Sequence, residues 1–147
     1  MTRDSDLVIA LDAAQSGLLI SALGAQYHAD PVAIATAIRE ARPWNIIHLP
    51  SVVKIDLVPR KETRFRRAEF ERRSRVDLAG VPLWIVSVED LILSKLEWSR
   101  ESSSEQQQRD VKLLLQAPLH RVYLDHWATQ LDLYGLLQEA DNERHQP

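Results

Sequence analysis

The strand-forming patterns of this sequence are confined to its first 86 residues, and beyond Val86 only helical periodicity remains. Short runs rich in β-branched and aromatic residues carry the first signal, at Asp6 to Leu11, Trp44 to Leu49, Val52 to Val58, Arg73 to Leu78 and Val81 to Val86. A chain so divided is predicted to adopt an α/β (α+β) fold, a mixed β-sheet flanked by helices and followed by a helical C-terminal half.

The helices announce themselves by spacing and by their ends. Ala13 to Gly24 carries Leu18, Leu19 and Leu23 at helical intervals, and Asp30-Pro31 supplies an N-cap and a first-turn proline for a helix that stops before Pro43. Ala33, Ile34, Ala37 and Ile38 form the inner face of that second helix. Pro50-Ser51 separates two runs that pair as a hairpin, and Ala79-Gly80 joins another, in which Pro82 marks an edge or a strand start. Ser87 then caps a helix with Glu89 and Asp90 in its first turn, where the helix dipole favours negative charge. It is predicted to end near Trp98, at a loop from Ser99 to Glu105 whose Ser and Gln tracts mark a flexible stretch. Helices follow over Gln106 to Gln116, Leu119 to Gln130 and Asp132 to Ala140, with a tail that frays from Asp141. At 147 residues and 45% hydrophobic content, a single domain over residues 1–140 is expected.

Composition removes several classes of protein. The chain has no cysteine, which excludes disulfides, thiol nucleophiles and cysteine-bound zinc and fits a reducing, cytoplasmic setting. Its longest apolar runs are too short to cross a bilayer, and Met1-Thr2-Arg3-Asp4 does not open a signal peptide, so no membrane partner is expected. The net charge is −3, yet Arg60, Lys61, Arg64, Arg66, Arg67, Arg72, Arg73 and Arg75 crowd one stretch against Glu62, Glu69 and Glu71. That stretch reads either as a solvated ridge or as a surface for phosphates, such as those of an RNA.

Carboxylates carry the chemistry. Residues two apart on a strand share a face, so Asp4 and Asp6 project together, their Cα atoms roughly 6.6 Å apart, within reach of one hard cation such as Mg²⁺. In Val52 to Val58 the apolar face is Val53, Ile55 and Leu57, which puts Lys54 and Asp56 together on the opposite side. A charge at Asp56, amid β-branched residues, requires a partner, which Lys54, an arginine or a metal can supply. Asp4, Asp6 and Asp56 are therefore the candidate metal ligands. Lys95 lies beside the apolar stripe Val88, Leu91, Ile92 and Leu96, where a lysine either snorkels to solvent or meets an anion. Asp110 borders the stripe Val111, Leu114 and Leu115, as an N-terminal helix charge or a partner for such a lysine.

Other chemistries find less support. His28, His48, His120, His126 and His145 show no paired ligand spacing, and the chain has neither a Gly-x-Ser-x-Gly elbow nor a Walker-type loop. Trp44, Trp84, Trp98 and Trp127 read as core or interface anchors rather than base-stacking platforms.

Four segments, taken together and in order, resemble a known family: Arg3-Asp4-Ser5-Asp6-Leu7-Val8-Ile9, Lys54-Ile55-Asp56-Leu57-Val58, Val88-Glu89-Asp90-Leu91-Ile92-Leu93-Ser94-Lys95-Leu96 and Gln108-Arg109-Asp110-Val111. From about Arg3 to Leu137 the chain is similar to minimal nucleotidyltransferase-fold proteins related to the AbiEii-type toxins of bacteria. The resemblance implies a nucleotidyltransferase-like sheet in which Asp4, Asp6 and Asp56 hold Mg²⁺ on the triphosphate of an NTP. It further implies that Asp56 helps to activate an acceptor hydroxyl, that Lys95 contacts phosphate, and that Lys54 and Asp110 belong to the nucleotide site. A toxin–antitoxin or phage-defence role, with a nucleotide passed to RNA or protein, follows from the same likeness. The family's helix and Gly-Gly or Gly-Ser loop lie just before the first aspartates and are not in the sequence from Met1 onward, so either the reading frame starts further upstream or the chain is a degenerate member. The alternative is therefore a catalytically inactive module that binds an antitoxin or another partner protein, or forms a homodimer over an exposed edge.

Overall fold

The computed structural model describes residues 5–12, 14–102 and 104–143. In chain order these form β1 (Ser5–Ile9), α1 (Ser16–Leu23) with a 3₁₀ turn (Gly24–Gln26), β2 (Tyr27–His28), α2 (Pro31–Arg39), β3 (Trp44–His48) and β4 (Val53–Pro59). There follow α3 (Arg64–Arg72), β5 (Ser74–Leu78), β6 (Val81–Ile85), α4 (Val88–Ser102), α5 (Glu105–Leu114), α6 (Arg121–Gln130) and α7 (Tyr134–Glu143). The class is mixed α and β, with every described strand preceding the four C-terminal helices, as the sequence pattern predicts. The chain divides into two compact units, Met1–Arg67 and Ala68–Pro147.

In the first unit a four-stranded sheet has the order β1-β4-β3-β2. β4 and β3 pair antiparallel, as the predicted hairpin requires, whereas β1 lies parallel to β4. A parallel pair needs a long crossover, and the chain between β1 and β4 supplies it. Alternation decides the faces. Trp44, Ile46 and Leu57 are buried with Ile34 and Ala37 of α2, and Ile9, Leu19, Ile20, Leu23 and Ile55 pack around them. α1 and α2 thus cover one side of the sheet. The Asp30 carboxylate caps α2 by accepting from the Val32 and Ala33 N–H groups at 2.9 and 3.2 Å, with Pro31 at the first helical position.

The β3–β4 connection stores strain at one residue. Val52 has φ 54° and is 81% exposed, so a β-branched side chain occupies the left-handed region with no packing in return. Val52→Asn is expected to raise stability by about 1 kcal/mol, read as a higher urea midpoint at unchanged m-value. At the other hairpin Ala79 and Gly80 both have positive φ, which suits the tight two-residue turn that Ala79-Gly80 suggested.

In the second unit α4 is the central element. Ile92, Leu93 and Leu96 are buried with Val111 of α5 and Leu115 at its C-cap, Leu124 and Ala128 of α6, and Leu133, Leu137 and Ala140 on and beside α7. Burial of Ser94 and Ser99 as well shows that α4 is enclosed on more sides than the stripe Val88, Leu91, Ile92, Leu96 implied. The helix continues to Ser102 through the expected loop, with Arg100 donating to the Leu131 carbonyl at 3.1 Å. α7 likewise runs on to Glu143, past the expected start of a frayed tail. There Asp141 accepts from Arg121 at 2.7 Å and Glu143 pairs with Lys112 at 2.6 Å. No helix among the described residues is long and apolar enough to cross a membrane.

Candidate functional site

The sheet register brings two of the three candidate ligands together. Asp6 of β1 stands directly across from Asp56 of β4 in the parallel pairing. Cross-strand partners in register project to the same face, and neighbouring strands run ~4.8 Å apart. Both carboxylates therefore occupy the side opposite α1 and α2. Asn45 of β3 is the antiparallel partner of Asp56, so the row Asp6, Asp56, Asn45 crosses three strands on one face. Asp6 and Asn45 are exposed and the Asp56 side chain is 25% exposed. Asp4 lies outside the described residues.

Asp56 does have the partner that its position demanded. The Lys54 ammonium sits 2.9 Å from its Oδ2, on the same strand face two residues away. Asn45 was not singled out from the sequence. Its signal was there, since an asparagine between Trp44 and Ile46 in an interior strand is a poor β-former without a local reason.

Two oxygens on adjacent strands, with a carboxamide beside them, are donors of the kind that Mg²⁺ accepts. Among the described residues no group of three or more His, Cys, Asp or Glu side chains converges on a common point. The row therefore places two carboxylates and one carboxamide on one sheet face.

Lys95 and Asp110 meet in the second unit. The Lys95 ammonium donates to Asp110 Oδ2 at 2.7 Å and to Gln107 Oε1 at 3.0 Å, tying α4 to α5. Of the two outcomes open to that lysine, meeting an anion is the one observed, and the anion is Asp110. An ammonium has three N–H donors, so one remains for a further acceptor.

The arginine-rich stretch is largely occupied internally. Arg60 and Arg67 both bind Glu62, at 2.6 and 2.9 Å, and their hydrogen bonds hold its carboxyl below the usual range. Arg66 lies over the Phe65 ring, and Arg73 donates to the Phe70 carbonyl. Arg72 reaches Glu89 and Asp90 at 3.2 Å each and lies 3.6 Å over the Tyr123 ring.

That last contact belongs to a cluster that sequence reasoning missed. Asp90, fully buried, accepts from the Tyr123 hydroxyl at 2.7 Å and from the Ser87 hydroxyl at 2.6 Å. Glu89, also buried, accepts from the His120 backbone N–H at 2.8 Å. Burial alone would push the Glu89 carboxyl up. The N–H groups of His120 and Glu89 itself, the Ser87 hydroxyl and Arg72 outweigh it and hold the group below 4.5. Burial, and then the bond to Asp90, pushes the Tyr123 hydroxyl well above its ordinary 10.0. These groups lie inside the unit and read as a structural clasp.

No protein-family model matches the chain, and no curated protein matches it either.

Proposed function

We propose that this chain is a divalent-metal-dependent, nucleotidyltransferase-like protein of the AbiEii-related type, with Asp6 and Asp56 as its strand-borne metal ligands. One observation supports this above the others: the parallel β1–β4 register that sets Asp6 against Asp56 on the sheet face left open by α1 and α2. Asp4, by the family likeness, is the third carboxylate. Asp6 and Asp56 would hold Mg²⁺, which would supply charge neutralisation of the triphosphate while a hydroxyl attacks its α-phosphorus and pyrophosphate leaves. Asp56 would accept the proton of the attacking hydroxyl, and the family likeness alone makes Lys95, which Asp110 and Gln107 hold, a phosphate contact. The acceptor is an RNA or protein hydroxyl, in a toxin–antitoxin or phage-defence setting in the cytoplasm.

A second reading draws on the Lys54–Asp56 ion pair, which already neutralises one carboxylate. On that reading the chain is a catalytically silent module that works through a protein partner or a second copy. Calorimetric titration with Mg²⁺ and each NTP separates the two. The first reading expects Mg²⁺-dependent nucleotide binding that Asp6→Ala removes. Absence of binding by the wild type, or equal binding by Asp6→Ala, overturns it.

A further inference from the structure

The β5–β6 hairpin has two unlike faces. Register places Val76, Leu78, Val81, Leu83 and Ile85 on one of them and Arg75, Asp77, Pro82 and Trp84 on the other. Trp84 is 60% exposed, so of the core and interface roles that its sequence suggested it does not fill the core one. Arg75 is its direct cross-strand partner and is itself exposed, with no ion pair among the described residues. Arg73 lies 4.8 Å from the Trp84 ring and 3.9 Å from the Phe70 ring, so its guanidinium is braced between two aromatic groups. The one carboxylate on this face, Asp77, accepts from the Gly80 N–H at 2.8 Å and closes the turn.

We infer that the Arg75–Trp84 face of the hairpin binds single-stranded nucleic acid, with a base stacked on Trp84 and the adjoining phosphates met by Arg75 and Arg73. An open indole flanked by guanidinium groups matches what single strands present, a π face on every base and a negative charge at every linkage. Charge decides against an apolar peptide on this face, because two arginines would be desolvated without a counter-charge. The arginines of the neighbouring stretch that are held by Glu62, Glu89 and Asp90 are not needed. This surface narrows the basic run of the sequence to Arg73 and Arg75 and adds an aromatic residue that charge counting cannot find. Binding here requires no metal and uses none of the residues of the carboxylate row.

The test is fluorescence anisotropy of the full chain in EDTA with a fluorescein-labelled oligouridylate, with oligothymidylate and a duplex of equal length alongside. The wild type is expected to bind both single strands more tightly than the duplex. Trp84→Ala should weaken binding about ten- to a hundredfold at an unchanged salt dependence, and Trp84→Phe should restore most of it. Arg75→Ala should lower the slope of log affinity against log salt by about 0.7. Arg109→Glu, a charge reversal elsewhere on the surface, should change little. Circular dichroism checks the fold of each variant, and if Trp84→Ala does not fold, Trp84→Phe and Arg75→Ala carry the test. The inference is overturned if the wild type binds no single strand or if Trp84→Ala binds as the wild type does. It is equally overturned if the hairpin seats a second copy instead, seen as a dimer in sedimentation that Trp84→Ala dissolves and the oligonucleotide does not displace.

Discussion

Asp90→Ala is expected to lower the unfolding free energy of the helical unit by about 2–3 kcal/mol, because it leaves two hydroxyl groups and one N–H of the partly exposed Arg72 guanidinium without their shared acceptor. Asp90 Oδ2 takes the Ser87 hydroxyl and the Arg72 Nε–H, while Oδ1 takes the Tyr123 hydroxyl. Truncation removes the acceptor of all three donors at once, and Arg72 keeps Glu89 at 3.2 Å. Asp90→Asn retains the shape but loses the charge opposite Arg72, so an intermediate loss is expected. Urea unfolding followed by circular dichroism measures both variants, and a loss under about 1 kcal/mol for Asp90→Ala would show that Arg72 and Tyr123 find other partners. The same cluster fixes the pH window. Glu89 titrates below 4.5 in the folded chain, so its contribution is complete above that value and is lost as pH falls through its depressed folded value. Tyr123 titrates above 10.0, so its contribution is complete below that value and is lost as pH rises toward its raised folded value. A stability plateau between about pH 5 and 9.5 is expected. Tyr123→Phe should remove the alkaline limb and keep the acid one, at a neutral-pH cost of about 1–3 kcal/mol for the unsatisfied Asp90 oxygen.

That cluster also shows where a sequence stops being legible. Ser87, Glu89 and Asp90 were readable as a cap and a dipole-favoured first turn, and Ser87 does accept from the Asp90 N–H at 3.2 Å. Their larger role depends on Arg72 and Tyr123, 18 and 33 positions from Asp90, and no local pattern announces such partners. α3 was missed for a related reason. Arg64 to Arg72 reads as a charge run, and its helical signal is carried by buried Phe65 and partly buried Phe70. β2 is two residues long, too short for any alternation to register. Elements with a strong local cause were readable: the Asp30-Pro31 start of α2, the Val53, Ile55, Leu57 face of β4, and the Ala79-Gly80 turn. The carboxylate row lies between these cases. Alternation fixed the face of Asp56 within its own strand, whereas the step from Asp56 to Asp6 required a parallel register that a single sequence does not encode locally.

On the proposed reading, Asp56→Asn should reduce Mg²⁺ affinity by at least about a hundredfold, since it removes a charged ligand from a seat with few protein donors. Lys54 makes this result interpretable. Its ammonium holds Asp56 Oδ2 at 2.9 Å, so it competes with any cation for that oxygen. In a metal site, Lys54→Met removes the competitor and should raise Mg²⁺ affinity several-fold, while also weakening any contact that Lys54 makes to a bound nucleotide. Were Asp56 merely the partner of Lys54 on a strand face, neither variant would alter Mg²⁺ binding, and the pair itself would be worth only about 0–1 kcal/mol at this exposure. Calorimetric titration of Mg²⁺ into the wild type, Asp56→Asn, Lys54→Met and the double variant distinguishes the cases through the sign of the Lys54 effect. A rise with Lys54→Met that vanishes when Asp56 is also replaced assigns the cation to Asp56. No change across the set leaves Asp6 and Asp56 as neighbours on a polar strand face and takes the metal site with it.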